Sequence, residues 1–70
     1  MNNKFYVTEE LKKLRTQKKL SRRILGERCN ISDKTIQRAE NGKRIKLYCI
    51  ERISKVLDID ENILIDIKKI

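Results

Sequence analysis

The sequence contains no histidine, tryptophan or proline, and only three of its 70 residues are aromatic. Without histidine, Cys29 and Cys49 cannot belong to a Cys–His nucleophile pair, and their separation does not match a zinc-ligand spacing. The scarcity of aromatic rings leaves little surface on which RNA bases could stack. No apolar run is long enough for a secretory signal or a transmembrane helix. A phosphate-binding loop is also missing, so the sequence predicts no enzyme, metal site, cofactor or membrane partner.

Positive charge is concentrated in the middle of the chain. The formal net charge is +8, and residues 12–46 alone hold thirteen Lys and Arg against three acids. Such asymmetry predicts a polyanionic partner, with nucleic acid the best fit and an anionic membrane surface the competitor. A membrane-surface peptide would need a continuous basic amphipathic helix, which Asn30 and Gly42 interrupt. The charge pattern therefore favours nucleic acid.

Residues 21–42 hold two short helical patterns separated by a break too small for an ordinary loop. Ser21 and Ser32 are good N-cap residues because a serine hydroxyl can accept a hydrogen bond from an N–H of the first turn. Asn30 stands where the first helix should end, and asparagine tolerates the left-handed conformation of a tight corner. Gly42 offers a stop for the second helix. The stretch therefore predicts two helices joined by a tight turn.

The second of these helices has one apolar strip and one polar face. Ile36 and Ala39 form the strip, three residues apart. The polar face consists of Lys34, Gln37, Arg38 and Asn41, with Asp33 near the start of the helix. These residue types hydrogen-bond to base edges in the major groove of DNA. A solvated surface helix also has a polar face, but the position of this one after a helix and a tight turn favours DNA readout.

The chain carries a series of short motifs in a fixed order. They are Leu11-x-x-Leu14-Arg15, Leu20-Ser21, Leu25-Gly26, Ile31-Ser32-x-x-Thr35-Ile36, Glu40-Asn41-Gly42-Lys43 and the segment Leu47 to Leu57. In these motifs residues 11–64 resemble the lambda-repressor-like helix-turn-helix family, which includes phage repressors and Xre-type bacterial regulators. The resemblance implies an all-α fold. It would be a compact bundle of about five helices, with the helix-turn-helix at helices 2 and 3 and helix 3 in the major groove.

The resemblance also implies an ion pair between Arg15 and Glu40, which would join helix 1 to the end of helix 3. A fork-shaped guanidinium suits a bidentate carboxylate partner. The sequence departs from the family where Gly26 replaces the usual alanine, Arg22 the usual glutamine and Asn30 the turn glycine. Glycine inside a helix costs about 1 kcal/mol relative to alanine, so the predicted reason for Gly26 is a close approach of helices 2 and 3.

Two sets of residues are predicted to contact DNA. Helix 3 would read bases through Ser32, Asp33, Lys34, Gln37 and Arg38. The phosphate backbone would be contacted by Arg22, Arg23, Asn41, Lys43 and Arg44. At the start of helix 2, N–H groups and the Arg22 guanidinium could together hold one phosphate. If the protein forms a homodimer, its half-sites should lie about 10 bp apart.

The whole chain, residues 1–70, is predicted to be a single helix-turn-helix DNA-binding domain. Its core would span residues 8–64, with Thr8 as the N-cap of helix 1. Residues 65–70 form an apolar tail for which three arrangements stay open. It could extend helix 5, form a dimer contact, or mark the point at which a longer protein was cut.

The leading functional prediction is a sequence-specific transcriptional regulator that binds double-stranded DNA. The alternative is a protein-interaction module, such as an antitoxin or the DNA-binding front end of a larger sensor protein, which the apolar tail motivates. Cys29 and Cys49 stand where a small apolar residue would serve, which predicts buried free thiols of the kind found in reducing compartments. The predicted location is therefore the cytoplasm, in association with the nucleoid.

Overall fold

Five short α-helices follow one another along residues 3–69, the part of the chain that the computed structural model describes. Their bounds are Glu10–Gln17 (α1), Arg22–Cys29 (α2), Asp33–Glu40 (α3), Leu47–Leu57 (α4) and Glu61–Leu64 (α5). The predicted all-α bundle of about five helices is confirmed. Met1, Asn2 and Ile70, which belong to the predicted domain and tail, lie outside the described residues. Within the described range no helix is both long and apolar enough to cross a bilayer.

Every helix contributes at least one fully buried aliphatic side chain to a single core. These side chains are Leu11, Leu25, Ile36, Ile50, Ile53, Leu57 and Leu64. The three contributed by α4, Ile50, Ile53 and Leu57, follow helical spacing and so lie on one face of that helix. Cys29 and Cys49 are both buried and both free, in agreement with the prediction from their positions.

The two serines and the asparagine of the helix-turn-helix behave as predicted. Ser21 Oγ accepts a hydrogen bond from the Ile24 N–H at 3.1 Å, and Ser32 Oγ accepts one from the Thr35 N–H at 3.2 Å. Asn30 adopts the left-handed conformation with φ 57° and ψ 43°. Ser21 therefore begins α2, whereas Asn30 and Ser32 end α2, turn the chain and begin α3 within four residues.

The end of α3 is a Schellman motif built on Gly42. This glycine has a φ of 84°, in the region that side chains disfavour. Its N–H donates to the Ala39 carbonyl at 3.2 Å, and the Lys43 N–H donates to the Arg38 carbonyl at 2.9 Å. The prediction that Gly42 stops the helix is therefore confirmed.

The predicted capping role of Thr8 is wrong. Glu9 occupies the N-cap position of α1, and no side chain caps that helix. The Thr8 hydroxyl instead donates to the Ile63 carbonyl at 2.8 Å, and the Thr8 N–H donates to the Leu64 carbonyl at 2.8 Å. Carbonyls at the end of a short helix have no intrahelical partner, and α5 obtains donors from a residue more than fifty positions away.

A two-stranded antiparallel sheet connects the start of the chain to the segment before α4. Its strands are Lys4–Phe5 (β1) and Ile45–Lys46 (β2), with Phe5 opposite Ile45 and Lys4 opposite Lys46. The sequence did not predict this sheet because strands of two residues are too short to show alternation. Lys46 provides no side-chain cap for α4, and the Leu47 N–H instead donates to the Asn3 carbonyl at 2.8 Å.

The described part of the tail does not extend α5, so that alternative is wrong. Ile65 is extended and forms an antiparallel bridge with Val7. The Asp66 N–H donates to the Tyr6 carbonyl at 2.9 Å, and a 3-10 turn over Ile67–Lys69 follows. The tail therefore packs along the N-terminal segment of the same chain.

Candidate nucleic-acid interface

Helix α3 presents a polar surface on the side opposite the core. Ile36 and Ala39 are buried and hold the helix against the bundle. The predicted readout and contact side chains on this helix and its flanks are all exposed: Ser32, Asp33, Lys34, Gln37, Arg38 and Asn41. The amphipathic pattern thus places the amide and basic groups where a ligand can reach them. Two of these residues also support the fold, because the Ser32 hydroxyl caps α3 and Asn41 ends it.

The orientation of α3 relative to α2 depends on Gly26. A Cβ atom at this position would lie 2.8 Å from the Ile31 carbonyl oxygen and 3.2 Å from the Asp33 backbone nitrogen. The Ile31 N–H donates to the Gly26 carbonyl at 2.9 Å, so the turn lies directly against the end of α2. This contact accounts for a glycine inside a helix, in agreement with the predicted close approach.

Arg15 and Glu40 join α1 to the last residue of α3. Arg15 Nε lies 2.6 Å from Glu40 Oε2, and Arg15 Nη2 lies 3.2 Å from Oε1. A third guanidinium nitrogen, Nη1, donates to the Leu20 carbonyl at 2.7 Å. The carboxylate side chain is 2% exposed and that of the arginine 10%. Both ions are thus desolvated, and the bidentate geometry fixes the direction of each side chain.

Arg22 adds a second cation to the same carboxylate. Its Nε donates to Glu40 Oε1 at 3.0 Å. The sequence predicts a DNA phosphate as the partner of Arg22 and does not predict this hydrogen bond to Glu40. A carboxylate can accept about four hydrogen bonds, so a single arginine does not saturate it, and this capacity was the available signal. The Arg22 side chain is 41% exposed, so it lies between the buried ion pair and the surface.

The Glu40 carboxylate stays ionised in this environment. Burial alone would raise its pKa, but hydrogen bonds from Arg15 and Arg22, reinforced by their charges, bring the pKa below its usual value of 4.5. Two cations around one anion leave a net positive charge at the junction of α1, α2 and α3. This charge adds to the basic character of the surface around α3.

The remaining predicted backbone contacts lie on both sides of α3. Arg23 is exposed on α2 and forms an i, i+4 pair with Glu27 at 3.3 Å. Lys43 and Arg44 are exposed in the loop that follows α3. The Arg44 guanidinium lies 6.0 Å from the centroid of the Tyr6 ring, within reach of a cation–π interaction. Exposed cations therefore stand on α2 and in the loop that follows α3.

A family model described as helix-turn-helix, of the Xre and lambda-repressor-like type, matches residues 11–64. The chain belongs to this helix-turn-helix family. The matched span runs from α1 to the end of α5 and contains the Arg15–Glu40 pair. It leaves β1 and the tail outside.

One solved structure similar to this family member is the crystal structure of the restriction-modification controller protein C.AhdI from Aeromonas hydrophila. The TM-score is 0.71 at 29% sequence identity, over 77% of this chain and 83% of that chain. No curated protein sequence matches this chain. Family membership and this neighbour together support a DNA-binding transcriptional regulator.

Proposed function

We propose that this helix-turn-helix protein is a sequence-specific transcriptional regulator whose helix α3 enters the major groove of double-stranded DNA. The observation that carries the proposal is the exposed polar face of α3, opposite the buried Ile36 and Ala39. Lys34 and Arg38 suit guanine, Gln37 suits adenine and Asp33 suits cytosine, with Ser32 at the leading end. The controller neighbour supports transcription as the process under control.

The flanking residues would position α3 on the duplex. Arg23 at the start of α2 and Asn41, Lys43 and Arg44 after α3 would contact phosphates without reading sequence. Arg22 would have two roles, because its Nε holds Glu40 while its side chain is partly exposed near the start of α2. A homodimer would place two α3 helices on half-sites about 10 bp apart. Such a regulator would act in the cytoplasm at the nucleoid.

The readout role is tested by comparing affinity for a selected operator with affinity for random duplex DNA. The operator is first obtained by selecting bound sequences from a random pool. Gln37→Ala and Arg38→Ala should each lower the ratio of the two affinities by about 5- to 150-fold, the worth of a good base contact. Lys55→Ala, at an exposed position of α4, is the matched control and should leave the ratio unchanged. An unchanged ratio for Gln37→Ala and Arg38→Ala together would refute the proposal.

A protein-interaction module is the second candidate, and exposed apolar side chains near the C-terminus favour it. Ile63 is 45% exposed and Ile67 is 73% exposed. Burying such side chains against a partner would be favourable. Replacing both with asparagine should abolish capture of a protein partner while leaving DNA affinity intact. Loss of DNA affinity with no effect on protein capture would reject this candidate.

A further inference from the structure

The two faces of the β1–β2 sheet carry different kinds of side chain, one apolar and one basic. Phe5 lies opposite Ile45, which is buried, and Phe5 itself packs against the core. Because side chains alternate along a strand, Lys4 and Lys46 share the other face of the sheet. Directly opposed residues of an antiparallel pair are close neighbours, and like charges in that position destabilise the pair. The fold therefore places two lysines directly opposite each other on one face of the sheet.

These two lysines belong to a larger basic surface beside α3. Two adjoining surface depressions include Lys4, and their walls supply five cations: Lys4, Arg38, Lys43, Arg44 and Lys46. Among the described residues that line the two depressions there is no carboxylate. Tyr6 lines one of them and lies beneath the Arg44 guanidinium. The cations therefore converge on one place without a neutralising partner.

We propose that Lys4 and Lys46, together with Arg44, form a phosphate-binding cradle for the DNA backbone. The inference rests on the proposed function, since the phosphates are those of the duplex whose groove α3 enters. Arg38 lines both depressions and also belongs to the readout face, so the cradle begins where the reading helix ends. Lys4 lies outside residues 11–64, so the N-terminal segment adds a DNA contact beyond the matched family span.

A bound phosphate would account both for the two opposed lysines and for the five cations that line the depressions without a carboxylate. Its negative charge would relieve the repulsion between the two opposed lysines, and several N–H donors can share its oxygens. The short sheet fixes the spacing of the lysines before binding, which lowers the conformational entropy that binding must remove. A contact of this kind releases condensed counterions from DNA, so it adds affinity equally for every sequence.

The first test measures DNA affinity as a function of salt for Lys4→Gln and Lys46→Gln. Each variant should reduce the steepness of log K against log salt by about 0.9, on operator and random duplex alike. At 0.1 M salt each affinity should fall about eightfold, and the curves should converge toward 1 M salt. Lys55→Gln, in an exposed position on α4 that lines neither depression, should keep the wild-type slope. Slopes for Lys4→Gln and Lys46→Gln equal to that of Lys55→Gln would overturn the inference.

The second test measures the melting temperature of the free protein at low salt. Removing one of two opposed charges should raise it by a few degrees, while the same change lowers DNA affinity. A higher melting temperature together with a weaker DNA affinity is the result expected if the two lysines repel each other until a phosphate binds. A variant that loses stability and affinity together would count against the cradle, because the affinity loss would then follow from unfolding.

The salt test also separates this inference from the proposed function. If the wild-type protein prefers no sequence, the regulator proposal fails, and the slopes on random duplex still report on the cradle. If it prefers an operator and the two lysine variants keep the wild-type slope, only the cradle fails.

Discussion

Arg15 and Glu40 are twenty-five residues apart in sequence and meet in a bidentate ion pair, with 2.6 Å between Nε and Oε2. The pair joins α1 to the last residue of α3, and Arg22 of α2 contacts the same carboxylate. Three helices thus converge on one buried anion. Apolar contacts through Ile36 hold α3 on the bundle. The ionic contacts of Glu40 fix the direction of α3 at its last turn, next to the loop that holds Lys43 and Arg44.

Glu40→Leu should lower the free energy of unfolding by about 3–5 kcal/mol, because it leaves the buried Arg15 guanidinium without its partner. The double variant Arg15→Met with Glu40→Leu should recover most of that loss, because both buried charges are then removed. Urea denaturation at neutral pH measures both values. Glu27→Ala, which breaks an exposed pair with Arg23, is the control and should cost less than about 1 kcal/mol. A double variant as unstable as the sum of its single variants would contradict this account.

The same carboxylate predicts a loss of stability in acid. The pKa of Glu40 is lower in the folded protein than its ordinary value of 4.5, so the unfolded chain takes up the proton first as the pH falls. This contribution to stability is complete well above pH 4.5 and is lost between that value and the lower folded pKa. Urea denaturation from pH 7 to pH 3 should show a smaller decline for Glu40→Gln than for the wild type. Equal declines would mean that Glu40 is not responsible.

The helix-turn-helix was predictable because its determinants are local. Ser21, Asn30, Ser32 and Gly42 each act on backbone groups within five positions of themselves, so their residue types alone indicate the caps and turns. The exposed face of α3 was predictable for a similar reason, because the 3.6-residue period fixes which side chains share a face.

The contacts that the sequence did not predict share a different cause. Thr8 has the side chain of a good cap, yet it donates to the end of α5, and β1 pairs with a segment forty positions away. The second contact of Glu40, with Arg22, likewise depends on how α2 and α3 pack. Such pairings form only when distant segments meet, so the residue pattern of a single short segment does not indicate which partner will be found.

Cys29 should be almost inert to thiol reagents in the folded protein. Burial, with a smaller effect of Cys49, raises its pKa from 9.0 to about 11, although Arg52 opposes the rise. At pH 8 only about one thiol in a thousand would be ionised, and the thiolate is the reactive form. In a Cys49→Ala variant, alkylation should be slow in native buffer and fast in denaturing urea. Equal rates in the two conditions would show that Cys29 is accessible.

Gly26→Val should weaken both the fold and the readout. The first added carbon would lie 2.8 Å from the Ile31 carbonyl oxygen, and a backbone atom cannot rotate away as a side chain can. Overpacking of this kind costs about 1–3 kcal/mol, and relief would require the turn and the start of α3 to move. Arg28→Val is the control, because it places the same residue at an exposed position of α2 and changes only helix propensity, by less than about 1 kcal/mol.

The two variants are compared by urea denaturation and by the operator-to-random affinity ratio under conditions where both are folded. Gly26→Val should lower the ratio and Arg28→Val should not, because only the first displaces α3 relative to α2. A Gly26→Val protein with wild-type stability and ratio would mean that the turn can move without consequence. In that event the close packing of the turn against Gly26 would not determine the orientation of α3. The orientation of the helix would depend on the ionic contacts of Glu40 instead.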